Sequence, residues 1–210
     1  METEEIREKK EPKRLPVWAC ILLFALGLFV CMGLYGTIGF GLLSLILGDE
    51  ARHPGLLVYT VTEANMLLSV LTPAVILLYF ERRPFSDLGL TLKGHVRGLW
   101  YGLLVAMLLY LIGFGLSLAI GEVEVTGFQF DPLNLLGTFV FCLLVALTEE
   151  IMMRGYILGR LLHTRMNKFL ALFVSALLFA LLHIFNPNVA FLPMLNLVIA
   201  GMLIGASYLY

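Results

Sequence analysis

Residues 139–183 read FVFCLLVALTEEIMMRGYILGRLLHTRMNKFLALFVSALLFALLH, two apolar runs joined by a short polar turn at about His163–Lys168. The first run contains the adjacent carboxylates of Glu149 and Glu150, and the second ends at His183. Ionisable side chains within a membrane-spanning helix are energetically expensive, so their presence indicates function. This pair of runs is therefore the strongest candidate site in the sequence.

The spacing of the two runs predicts that the acids and the histidine lie at one depth. If both runs are helices, they form an antiparallel hairpin whose centre falls between Met166 and Asn167. Counting outward from that centre, Glu150 lies level with His183, and Glu149 lies one residue further out. At about 1.5 Å rise per residue, each lies about 25 Å along its helix from the turn.

The composition of the whole chain is typical of an integral membrane protein. Of its 210 residues, 60% are hydrophobic and 14% are charged, whereas soluble domains are about half apolar and about a quarter charged. The lipid bilayer is therefore an expected partner, and the net charge of -1 gives no indication of nucleic acid. Cys20, Cys31 and Cys142 all lie within apolar runs, so we interpret them as small hydrophobic residues without a disulfide or a metal cluster.

The apolar runs predict an all-α fold, a polytopic membrane helical bundle of about six transmembrane helices. Residues 1–16 are predicted to be a cytoplasmic tail and residues 17–210 a single transmembrane domain. The predicted helices cover about residues 17–47, 56–80, 99–120, 132–162, 169–184 and 189–210, each longer than or close to the ~20 residues that a span requires. Glu63 and Asn65 lie near the outer end of the second helix, where solvation at the interface is favoured over a functional role.

The basic residues predict the orientation, because Lys and Arg concentrate in cytoplasmic loops. They cluster in the N-terminal tail, in the loop 81–98 and at the turn of the hairpin, whereas the alternate loops contain only Arg52. The N-terminus is therefore predicted to be cytoplasmic.

One glutamate of the hairpin is predicted to form an ion pair with an arginine, and the other glutamate is predicted to remain unpaired. Glu149 and Glu150 are neighbours, so they point about 100° apart around the helix. Arg154 follows Glu150 by four residues, the spacing of an ion pair on one helix face. Glu149 is then free to activate a water as a general base, with His183 holding the water or stabilising an oxyanion. Phe179, one turn before His183, either shapes the pocket or simply packs.

These motifs resemble those of the CAAX protease and bacteriocin-processing family of intramembrane endopeptidases, which includes type II CAAX proteases and bacterial immunity proteins. The resemblance rests on Glu-Glu-x-x-x-Arg at 149–154 and Phe-x-x-x-His at 179–183, and it covers about residues 81–210. It implies that Glu149 and His183 are catalytic and that Glu150, Arg154 and Phe179 support them. It also implies a multi-pass protein, expected in a bacterial inner membrane, that cleaves a peptide or protein substrate.

The resemblance is incomplete at the C-terminal end. Family members usually carry a further helix with a second His and an Asn, but no His follows His183 here, so we expect a truncated chain or a degenerate member. Gly201 and Gly205 predict a closely packed neighbouring helix, which is either an earlier helix or the seventh helix of the family pattern. A zinc ion on Glu149 and His183 is possible, but so few ligands favour a Glu–His water site without metal.

Two other classes of function remain open. One is a non-catalytic member of the same family, such as an immunity or chaperone-like factor. The other is a small proton-coupled transporter that uses Glu149 and Glu150 as a relay. The motif His-Glu-x-x-His of zinc proteases and the motif Gly-x-Ser-x-Gly of serine hydrolases are both absent from the sequence.

The predicted orientation can be tested by labelling single cysteines from outside the cell. In a background in which Cys20, Cys31 and Cys142 are replaced, a Glu124→Cys variant should be labelled and a Lys93→Cys variant should not, because only the former is outside. The reverse pattern would contradict the arrangement.

Overall fold

The computed structural model describes residues 15–53, 55–91, 94–187 and 189–209, and these residues are almost entirely helical. Most of the predicted tail, together with Lys93 and Asn188 of the predicted loops, lies outside the described residues. The helices are α1 (Val17–Leu47), α2 (Leu56–Phe80), α3 (Val96–Ala119), α4 (Pro132–Glu150), α5 (Gly159–Leu162), α6 (Lys168–Leu182) and α7 (Phe191–Leu209). Two 3₁₀ turns, Gly48–Arg52 and Phe85–Leu88, follow α1 and α2.

The prediction of a polytopic membrane helical bundle is confirmed. Among the described residues, five helical stretches are long and apolar enough to span a membrane, with α4 and α5 forming one continuous stretch, Pro132–Leu162. The remaining helix, α6, is apolar but has only 15 residues. The protein is therefore a multi-pass membrane protein.

A π-helical segment, Ile151–Leu158, joins α4 to α5 and lies at the centre of the bundle. All eight of its residues are buried, against core residues from α1, α2 and α6 such as Phe24, Val70 and Leu172. Gly155 allows the closest approach, because a Cβ there would lie 2.6 Å from the carbonyl oxygen of Leu88. The sequence analysis predicted a continuous helix here and missed the π geometry, which is rare and is frequent at functional sites.

The glycine face of α7 packs against α6. A Cβ on Gly201 would lie 3.1 Å from Ala176, and a Cβ on Gly205 would meet the side chain of Leu172. The neighbour predicted from the Gly-x-x-x-Gly spacing is thus the earlier helix α6, one of the two alternatives that the sequence left open.

A buried polar cluster lies around Glu81, at the end of α2. Arg160 contacts the carboxylate of Glu81, and the Cys20 thiol donates to the other oxygen of the same carboxylate at 2.7 Å. Arg83 reaches both Glu81 and Asp87, at 3.7 and 3.4 Å. The cluster therefore joins α1, α2, the turn Phe85–Leu88 and α5, and it buries Arg160, which the sequence analysis had counted with the polar turn.

The end of α2 suggests a stabilising substitution. Arg82 has a φ of 53°, and its N–H and that of Arg83 donate to the carbonyls of Tyr79 and Leu78 in a Schellman arrangement. Because glycine adopts this left-handed conformation without a Cβ penalty, Arg82→Gly should raise the free energy of unfolding by about 1 kcal/mol. Denaturation in detergent micelles would measure it.

Arg82→Ala is the matched control, since it removes the charge and keeps the strained conformation. An equal gain in stability for Arg82→Ala would show that charge, and not backbone conformation, is responsible.

Candidate active site

The two helices that carry the candidate residues each begin at a side-chain cap. The carboxylate of Asp131 accepts hydrogen bonds from the N–H groups of Leu133 and Asn134, and Pro132 occupies the first turn of α4. The side chain of Asn167 accepts from the N–H of Phe169 at the start of α6. These caps fix where α4 and α6 begin, and so which residues reach the middle of the bundle.

Glu149 lies near the end of α4, and His183 directly follows the end of α6. The two side chains come together there. Oε1 of Glu149 lies 3.6 Å from Nε2 of His183, and the two side chains are 33% and 21% exposed. The predicted meeting of an acid and the histidine at one depth is therefore observed. The partial exposure leaves both polar groups accessible to a water or a substrate.

The second nitrogen of His183 defines the tautomer of the neutral ring. Nδ1 lies 2.9 Å from the carbonyl oxygen of Phe179, and because a carbonyl can only accept, Nδ1 carries the hydrogen. In the neutral imidazole, Nε2 is then a hydrogen-bond acceptor facing Glu149. The Phe179 ring packs edge-on against the imidazole, with centroids 4.8 Å apart, which holds the ring orientation.

Glu150 and Arg154 form the predicted ion pair. Nη1 of Arg154 lies 3.0 Å from Oε1 of Glu150, a close charge contact rather than an aligned hydrogen bond. The guanidinium is only 3% exposed, whereas the Glu150 side chain is 43% exposed. Nη2 of Arg154 also donates to the carbonyl oxygen of Gly201 at 3.4 Å, and the guanidinium lies over the Phe179 ring at 4.9 Å. Arg154 thus connects the π segment to both α6 and α7.

The residues present do not make up a zinc site. Protein zinc sites take at least three protein ligands, and in the part of the chain that the structure describes no three His, Cys, Asp or Glu side chains lie together in that way. Glu149 and His183 supply two.

Comparison with known proteins identifies the C-terminal part of the chain. Residues 131–210 match the family model described as "Rce1-like: Type II CAAX prenyl endopeptidase Rce1-like". No curated protein and no solved structure matches the chain. The match contains every residue of the candidate site, and the resemblance seen in the sequence is confirmed.

The Glu150–Arg154 pair can be tested by its contribution to stability. Among the described residues, Glu150 is the only carboxylate that contacts the buried guanidinium of Arg154, so in Glu150→Ala the free energy of unfolding should fall by about 1–3 kcal/mol. Because Glu150 is partly exposed, this loss of stability should be smaller than the loss from breaking a fully buried ion pair. Detergent denaturation provides the measurement, with the exposed Glu124→Ala as the matched control.

A double-mutant cycle with Arg154→Met isolates the pair itself. The two substitutions should be non-additive by about 0.5 kcal/mol or more. Additive effects would mean that the two residues do not stabilise each other.

Proposed function

We propose that this protein is an intramembrane endopeptidase, because residues 131–210 match the Rce1-like family model of type II CAAX prenyl endopeptidases. It hydrolyses a peptide bond of a membrane-associated or cytoplasmic peptide or protein. Its site belongs to the single transmembrane domain 17–210, in the cytoplasmic membrane of a bacterium. Glu149 and His183 are the catalytic residues, and Glu150, Arg154 and Phe179 hold them in place.

The observation that carries this proposal is the opposition of Glu149 and His183. Both the carboxylate and Nε2 of the neutral imidazole are acceptors, and 3.6 Å is longer than a direct hydrogen bond between them. A water molecule that donates one hydrogen to each acceptor would satisfy both groups. Its oxygen lone pairs would then be free to attack a substrate carbonyl.

The reaction follows from this arrangement. Glu149 takes a proton from the water while the water oxygen bonds to the carbonyl carbon, which gives a tetrahedral oxyanion. When the oxyanion collapses, the carbon–nitrogen bond breaks, and the proton held by Glu149 passes to the leaving amine. Water is consumed and two peptide products are formed, so atoms and charges balance without a covalent enzyme intermediate.

The supporting residues hold the catalytic side chains in position and take no part in the bond changes themselves. The Phe179 carbonyl sets the imidazole tautomer, and the Phe179 ring lies between His183 and the guanidinium of Arg154. Arg154 in turn holds Glu150, which leaves Glu149 as the carboxylate that meets His183.

The test is the loss of cleavage in Glu149→Gln, which keeps the shape of the side chain and removes the base. Purified protein in proteoliposomes is incubated with a peptide library, and the products are identified by mass spectrometry. The turnover number should fall by about 10²-fold or more, because general-base catalysis typically contributes that factor. Glu124→Gln, in the outer loop, is the matched control and should retain activity.

Full activity of Glu149→Gln would refute the assignment of the base. A wild-type chain that binds peptides and never cleaves them would instead identify the non-catalytic class of this family.

A further inference from the structure

Glu63 is an acidic residue of the bundle that neither the ion pair nor the proposed catalytic pair uses. It lies within the spanning helix α2 and is partly buried. Within the described residues it has no ion pair and no side-chain hydrogen bond. The sequence analysis favoured simple solvation at the interface for this residue, but an unpaired carboxylate in a membrane helix is expensive and marks function by default.

The packing of α2 against α4 brings Glu63 towards the candidate site. The two helices run in the same direction, because Leu56 packs where a Cβ on Gly137 would be, and Tyr59 meets Phe141 with ring centroids 6.3 Å apart. Glu63 follows Tyr59 by four residues. Since each residue adds about 1.5 Å, Glu63 lies about 6 Å along α2 from Tyr59.

Glu149 lies further along the same direction. It follows Phe141 by eight residues, which is about 12 Å along α4. Glu63 is therefore about one helical turn outward of Glu149 on the neighbouring helix. The two carboxylates are close enough to repel each other.

The positive groups near Glu63 already face other carboxylates. The guanidinium of Arg154 is directed to Glu150, and His183 faces Glu149. Two carboxylates in a poorly solvated interior attract a positive group strongly, because charges there are weakly screened. A cation contributed by a ligand would reduce the repulsion between Glu63 and Glu149 and would pair with Glu63.

We propose that Glu63 is a specificity-determining residue that binds a Lys or Arg side chain of the substrate close to the scissile bond. This inference rests on the proposed function, because a scissile bond exists only if the protein is a peptidase. The position of Glu63 relative to that bond rests on the register of α2 against α4. An extended peptide advances about 3.3 Å per residue, so an offset of about 6 Å corresponds to about two residues from the bond. The substrate class is a peptide with a basic residue about two positions from the cleavage site.

Peptide binding tests the inference without requiring cleavage. The probes are fluorescent Ala/Leu peptides that carry a single Lys, Gln or Glu, moved along the peptide one position at a time. Binding to wild type in nanodiscs is measured by fluorescence anisotropy. At one or two adjacent positions, the Lys peptide should bind about tenfold or more tightly than its Gln counterpart, the size expected for one charged hydrogen bond.

Glu63→Gln should abolish this preference, and Glu63→Lys should transfer it to the Glu peptide. Glu122→Gln, in the outer loop, is the matched control and should keep the preference for Lys. Circular dichroism and gel filtration confirm that each variant is folded. Equal binding of Lys and Gln peptides to wild type, or a preference for Lys that persists in Glu63→Gln, would overturn the inference.

A cleavage measurement separates this inference from the proposed function. If the peptides are cleaved, Glu63→Gln should raise KM for the Lys peptide relative to its Gln counterpart. Charge-dependent binding at Glu63 without any cleavage that depends on Glu149 would refute the peptidase and leave the binding site standing. Cleavage that depends on Glu149 but ignores the Lys would refute the role of Glu63 alone.

Discussion

A guanidinium buried within a membrane-spanning bundle needs partners from the protein, because lipid supplies none. Arg154 finds a carboxylate on its own helix, an aromatic ring on α6 and a backbone carbonyl on α7. Each of these contacts constrains a different element. The glycine at position 201 is required for the last of them, since α7 must approach closely for its carbonyl to be reached. The packing of α4, α6 and α7 around the site thus follows from the need to pair the buried charge of Arg154.

The π segment extends this constraint to the part of the bundle around Glu81. Tyr156, within the segment, stacks on Phe24 of α1 with ring centroids 4.3 Å apart, and its hydroxyl donates to the carbonyl oxygen of Cys20. Just beyond the segment, Arg160 is held by Glu81. The helix that carries Glu149 is therefore fixed on both sides of its irregular stretch. Such rigidity keeps a carboxylate and an imidazole from different helices facing each other at 3.6 Å.

Much of the site could be predicted because it depends on local or nearly local geometry. The Glu150–Arg154 pair follows from a four-residue spacing. Counting outward from a short turn places His183 level with Glu150 and one residue short of Glu149, and the pairing of Glu150 with Arg154 then leaves Glu149 to meet His183. The same reasoning gave all the spanning segments, since their apolar runs are long and are separated by polar turns.

What could not be predicted depends on contacts between distant parts of the chain or on weak local signals. Nothing in the sequence IMMRGYIL distinguishes a π-helix from an α-helix. Glu81 and Arg160 are far apart in sequence, so only the packed bundle shows that they meet. The register of α2 on α4, which brings Glu63 towards Glu149, is likewise a property of tertiary packing.

Helix α3 differs from the other spanning helices in that none of its described residues is buried. Its first turns carry Arg97, Trp100 and Tyr101, side chains that anchor helices at the level of lipid headgroups. The tilt of a helix is set by packing and by such anchors, and here packing contributes little. The angle of α3 should therefore follow the thickness of the surrounding bilayer, while the helices around Arg154 keep theirs. Lipid composition should therefore change the tilt of α3 and leave the arrangement of Glu149 and His183 unchanged.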